Sequence, residues 1–126
     1  MINLISRLFW GYQKTMREEI LLLKIHNAIK EGKNYYQSVQ GNWKMNAKRL
    51  ASIKYVVGID KQKVVCVFVP NEWHIIQDGP EKGRKCFAGI EASNEILSTM
   101  QTNEEQLIKK FGTGSAIAYA SLSEVK

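Results

Sequence analysis

At 126 residues the chain fits one domain that can bury a real core without covalent staples. Its 44% hydrophobic content is ordinary for a globular protein and argues against a disordered chain. A formal charge of +6 and a pI of about 9.4 favour anionic partners without naming one.

The charge is unevenly placed. Residues 20–63 carry Lys24, Lys30, Lys33, Lys44, Lys48, Arg49, Lys54, Lys61 and Lys63 against only Glu31 and Asp60. Residues 64–126 are slightly acidic in balance. Such asymmetry marks either a solvated lysine surface or a binding face for an anion. Cys66 and Cys86 are the only cysteines, each within an apolar strand-like run. With no CxxC pair, they read as core thiols in a reducing, cytoplasmic compartment. His26 and His74 have no partner at zinc-type spacing, so no metal site is expected.

In chain order, residues 1–17 form an extension, MINLISRLFWGYQKTMR, ahead of a domain spanning 18–126. Ile2, Ile5, Leu8 and Phe9 fall at helical spacing. Arg7 interrupts the apolar run and no small-residue cleavage site follows, so it is a poor signal peptide and too short to span a membrane. An amphipathic helix packed on the domain or on a second copy is one reading; a membrane-surface anchor is the other. Glu19-Ile20-Leu21-Leu22-Leu23-Lys24-Ile25 suits helix or strand by its leucines, and its short length before the turn-rich Lys30–Asn34 favours a strand. Tyr35–Val39 is either a short helix or extended. Gly41–Met45 is a loop presenting Trp43 beside Lys44. Asn46 is placed to cap a helix over Ala47–Ile53.

Tyr55–Ile59 and Val64–Val69 are two β-branched runs joined by Asp60–Lys63, the pattern of an antiparallel hairpin. Neither run alternates, so both faces should be covered, in a small barrel or a helix-covered sheet. Gly58 suggests a bulge or bend. Pro70 is expected to end that strand and Asn71-Glu72 to turn. Trp73–Ile76 and Arg84–Gly89 then form two further strands around the loop Gln77–Gly83, with Trp73 opposite Phe87. Glu91–Ser98 reads as a helix. Asn103 with Gln106 reads as the capping box of another, closed by Lys109, Lys110 and Gly112. Ala116–Ala120 alternates as a final strand.

No nucleophile elbow, Walker loop, HExxH or deaminase signature occurs and no cofactor is expected; an enzyme is the third reading, since a small hydrolase would need an acid–base pair and no local spacing shows one. Trp43 with Lys44, Lys48 and Arg49 combines an aromatic platform with cations, the chemistry that single-stranded or flipped bases use. The competing reading is a core tryptophan with solvated lysines.

The succession ILLLKI, GNW, a short basic helix, KYVVGIDKQKVVCVFVP, NEW, GRKCFAG, a helix and FGTGSAIAYAS resembles the PUA-like superfamily over about residues 18–121. Its EVE, ASCH and YTH branches include small bacterial and phage-type members. The resemblance implies an α+β fold, a small curled mixed or antiparallel β-barrel of five to six strands with short flanking helices. It further implies a module that binds RNA or DNA, recognising a modified or flipped base, and that is usually not an enzyme alone. Trp43, Trp73 and Arg84 stand at plausible pocket positions. The expected function is therefore nucleic-acid binding, with Lys44, Lys48 and Arg49 on phosphates and Trp43 stacking a base. The alternative is a structural or protein-interaction domain that forms homodimers through residues 1–15.

Overall fold

The computed structural model describes residues 18–125. The N-terminal extension, with the amphipathic-helix and self-association readings attached to it, lies outside the described residues.

The sheet grows from the ILLL run. Strand β1 (Glu19–Lys24) is followed by helices α1 (His26–Lys30) and α2 (Tyr35–Gln40), a 3-10 helix (Ala47–Ser52) and strand β2 (Ile53–Asp60). Then come β3 (Lys63–Ile75), β4 (Lys85–Glu91), α3 (Asn94–Thr102), α4 (Glu104–Ile108), β5 (Ile117–Ser121) and a last 3-10 turn (Leu122–Glu124). The strands form one five-stranded sheet in the order β4-β3-β2-β1-β5. β1 and β2 are parallel, and every other pair is antiparallel. The fold is α+β with a mixed sheet and short helices, and β4 and β5 are its two edges.

Between Glu19 and Lys24, β1 is a run of four apolar residues because both of its faces are covered. Ile20 and Leu22 join Val57, Ile59, Val67, Met100 and Leu107 under α3 and α4. Leu21 and Leu23 join Ile25, Val39, Val56, Phe68 and Phe87 under the chain that crosses from β1 to β2. Helices cover both faces of the hairpin, and the sheet is open between the edges β4 and β5.

The β2–β3 connection is tighter than the four polar residues suggest. Only Lys61 and Gln62 lie outside the strands, at φ of 51° and 70°. Two central residues at positive φ give the turn whose twist matches that of the flanking strands. A register shift between Gly58 and Ile59 marks a bulge beside Gly58, with the extra residue, Val65, on the partner strand β3.

Several local expectations are corrected. Pro70 does not end a strand: β3 runs unbroken to Ile75, with a register shift between Pro70 and Glu72. A bulge tolerates proline because no ladder donor is required of it there. Tyr35–Gln40 is helical, closed by an Asn34–Gln37 capping box. The Asn46 cap is present, but the turn it starts is 3-10 and ends at Ser52, which leaves Ile53 to open β2. α3 begins later than expected because Ser93 caps it through the Ile96 N–H. Asn103 does not act as a cap: its amide donates to Thr99 O, and Gln106 reaches Glu124 O.

Candidate nucleic-acid interface

The chain between β1 and β2 positions most of the expected site. It reaches the far edge of the sheet, where Tyr36 Oη accepts from the Gly89 N–H at 3.1 Å. There Trp43 and Lys85 exchange two backbone hydrogen bonds, each 2.8 Å. The chain then turns back across the same face on the buried side chain of Met45. The 3-10 helix finally sets Arg49 over Tyr119 of β5, the opposite edge strand.

The expected residues therefore fall into two groups. Trp43, Trp73 and Arg84 gather at the β4 edge, whereas Arg49 sits at the β5 edge. Four strand spacings of about 4.8 Å each separate the two edges, roughly 19 Å. Closeness in sequence between Trp43 and Arg49 is not closeness in space.

At the β4 edge, Trp43 is half-buried against the second cluster, and its Nε1–H donates to Val39 O at 2.8 Å. Its indole thus combines a packing role with one partly open side. Trp73 is also half-buried, opposite Phe87 in register, with ring centroids 5.3 Å apart. That is the ordinary cross-strand packing of two aromatic rings. Arg84 Nη1 lies 3.4 Å from Glu81 Oε2, and Asn42 Nδ2 donates to the other Glu81 oxygen at 2.6 Å. Glu81 offsets the Arg84 charge in part.

At the β5 edge, Glu19 is only 7% exposed. A carboxylate so placed must be paired and hydrogen-bonded to remain charged. Arg49 Nη2 donates to its Oε2 at 3.1 Å and Ser52 Oγ to its Oε1 at 2.7 Å. The Arg49 guanidinium lies 3.8 Å from the Tyr119 ring centroid. Glu19, Arg49, Tyr119, Ser121 and Glu124 line a cleft of about 360 Å³. Burial raises the Tyr119 phenol above its ordinary pKa, against the pull of Arg49. Hydrogen bonds from Lys110 and from the Ser121 N–H hold the Glu124 carboxyl below its ordinary pKa.

Arg49 is thus bound to a buried carboxylate and an aromatic face. Sequence reasoning missed Glu19 and Tyr119 as its partners. The usable signal was a glutamate directly before four consecutive buried apolar residues, which obliges a cation to come to it.

Lys44 and Lys48 differ from Arg49. Both are exposed, and neither has a carboxylate within ion-pair distance among the described residues. The same holds for Lys30 at the end of α1. The crossing chain carries Lys30, Lys33, Lys44, Lys48 and Arg49 against Glu31 alone. The layer on the other face, residues 92–116, carries Glu95, Glu104 and Glu105 against Lys109 and Lys110. One covering layer is basic and the other is slightly acidic.

Neither cysteine is in a disulfide, and Cys86 is only half-buried where Cys66 is fully so. Among the described residues no group of three His, Cys, Asp or Glu side chains is arranged to hold a metal ion. No described helix is long and apolar enough to cross a membrane. In comparisons with family models, curated proteins and solved structures, the chain has no match.

Proposed function

We propose that this chain is a nucleic-acid-binding module of the cytoplasm, with no catalytic activity of its own, that takes the phosphate backbone of RNA or DNA across its basic covering layer. The observation that supports this most is the set of exposed ammonium groups, Lys30, Lys44 and Lys48, without a carboxylate partner among the described residues, in the layer covering one face of the sheet. Unpaired cations on one surface attract a polyanion and release its counterions. Trp43 is the stacking candidate, offered from the β4 edge, while Trp73 packs on Phe87 of the same cluster. Arg49 acts as a strut that holds the 3-10 helix and so presents Lys48. The PUA-like resemblance belongs to the same proposal, and β4 and β5 are the strands that a barrel would join.

The test is a fluorescence-anisotropy titration of short single- and double-stranded oligonucleotides over a range of salt. The wild-type chain is expected to bind with an affinity that falls steeply with salt. Lys44→Ala and Lys48→Ala should each lower the salt slope by about one unit, uniformly over sequence. Trp43→Phe should preserve the slope. Absence of any salt-dependent binding at low ionic strength overturns the reading.

A further inference from the structure

A second site lies at the opposite end of β1. Lys24 ends β1 and Ile59 lies near the end of β2, its parallel neighbour. At this end three stretches of chain meet: the exit from β1, the two-residue turn Lys61-Gln62 after β2, and the entry to β5. The chain leaving β1 passes to α1, whose Ile29 packs on the second cluster. The chain entering β5 arrives from α4, whose Ile108 packs on the first, as does Phe111 after it. The Lys24 N–H donates to Ala116 O and the Ile25 N–H to Ile59 O, both at 2.9 Å, so the backbone at this end is already paired.

The crevice left open has a volume of about 170 Å³ and is lined by Lys24, Ile59, Lys61, Gln62, Ile108 and Phe111. Its floor is aliphatic and aromatic. Its rim carries two ammonium groups. Lys24 Nζ sits 4.7 Å from the Phe111 ring centroid. The carboxylates nearby in the chain are engaged elsewhere. Asp60 Oδ1 is 3.3 Å from His26 Nδ1. Glu104 accepts from the Val64 N–H at 2.8 Å and faces Lys63 Nζ at 3.5 Å. Among the described residues no carboxylate pairs with Lys24 or Lys61.

We infer that this crevice binds a small amphipathic anion: one ring-sized apolar group seated on Ile59, Ile108 and Phe111, with a carboxylate or phosphate held by Lys24 and Lys61. Size sets the apolar part, since an apolar cavity of about 150 Å³ accepts benzene. Charge sets the polar part. The site is distinct from the nucleic-acid reading, whose cations Lys30, Lys44 and Lys48 belong to the chain that crosses from β1 to β2 and do not line this crevice.

The experiment is an amide-resolved NMR titration of the full chain with benzoate and with phenyl phosphate, against benzyl alcohol, acetate and inorganic phosphate. The aromatic anions should saturate shifts at Lys24, Ile59, Gln62, Ile108 and Phe111 with a dissociation constant of about 1 mM or tighter, a range open to so few heavy atoms. The tighter of the two aromatic anions names the anionic group. Lys24→Gln and Lys61→Gln, both at exposed positions, should each weaken anion binding about two- to fivefold and leave benzyl alcohol unchanged. The proposal is overturned if benzyl alcohol binds as tightly as benzoate, if acetate produces the same shifts, if the shifts scatter without saturating, or if both lysine variants bind as wild type does.

Discussion

Gly58 has no room for a side chain. A Cβ built there would lie 2.5 Å from Cys66 Sγ, 2.9 Å from Ile25 Cδ1 and 3.0 Å from Val39 Cγ1. Three neighbours from three separate stretches of chain cannot all retreat, so Gly58→Ala should cost about 1–3 kcal/mol in urea unfolding. Cys66→Ala removes the nearest of them, and the double variant should recover part of the loss. The same thiol carries a pH signature. Burial pushes Cys66 up from 9.0 to about 12, so the fold favours the neutral form. Its contribution is therefore complete below pH 9 and is lost as pH rises towards 12, by at most about 4 kcal/mol. Between neutral pH and about pH 10.5, wild type should lose stability faster than Cys66→Ala does. Equilibrium unfolding at several pH values checks the difference, because every other group titrates equally in both chains.

Among the elements, the 3-10 helix is fastened by a charge and not by its own short turn. Removing Arg49 leaves Glu19 buried with Ser52 as its one side-chain partner among the described residues, so Arg49→Ala should destabilise by about 3 kcal/mol. Arg49→Lys should recover little of this, since an ammonium cannot stack on Tyr119 as a planar guanidinium does. Lys48→Ala, one position away, should stay within about 0.5 kcal/mol of wild type. Thermal unfolding of the three variants separates a strut from a surface cation. The contrast also shows where the sequence was readable. The central hairpin, its bulge, the Trp73–Phe87 pairing and the alternating last strand were all legible, because each depends on neighbours in sequence. Pro70 misled because proline stops a strand in isolation but not at a bulge against a partner strand. Trp43 and Arg49 looked like one patch because they are six positions apart, and only the sheet order shows that they reach opposite edges. The 3-10 helix is short and has a single turn-like cap, so its type was open until Ile53 was drawn into β2.

At the scale of the molecule, strand existence was legible but strand order was not. Nothing local announces that Ile20–Lys24 pairs in parallel with Tyr55–Ile59, or that β5 lies on its other side. The order makes β1 and β2 interior strands flanked on both edges and covered on both faces. Amides of Leu21–Leu23 and of Val56-Val57 should therefore exchange with solvent last, at a free energy close to that of global unfolding. Those of β4 should exchange earlier, because Trp43 and Tyr36 cover only part of that edge. Native-state hydrogen exchange followed by NMR gives the ranking, and β4 outlasting β1 would contradict the sheet order.

The placement of β5 beside β1 has a consequence for how the chain is made. On a ribosome, β1 and β2 emerge early and can pair, yet the other side of β1 waits for Ile117–Ser121. All of Lys61–Ala116 must be synthesised in between, which takes about 3–11 s at about 5–20 residues per second. For that interval the nascent chain offers an unpaired edge made of Ile20, Leu21, Leu22 and Leu23, the kind of strand that recruits another strand unless something shields it. Slow translation of that middle stretch prolongs the exposure, and a holding chaperone shortens its effect.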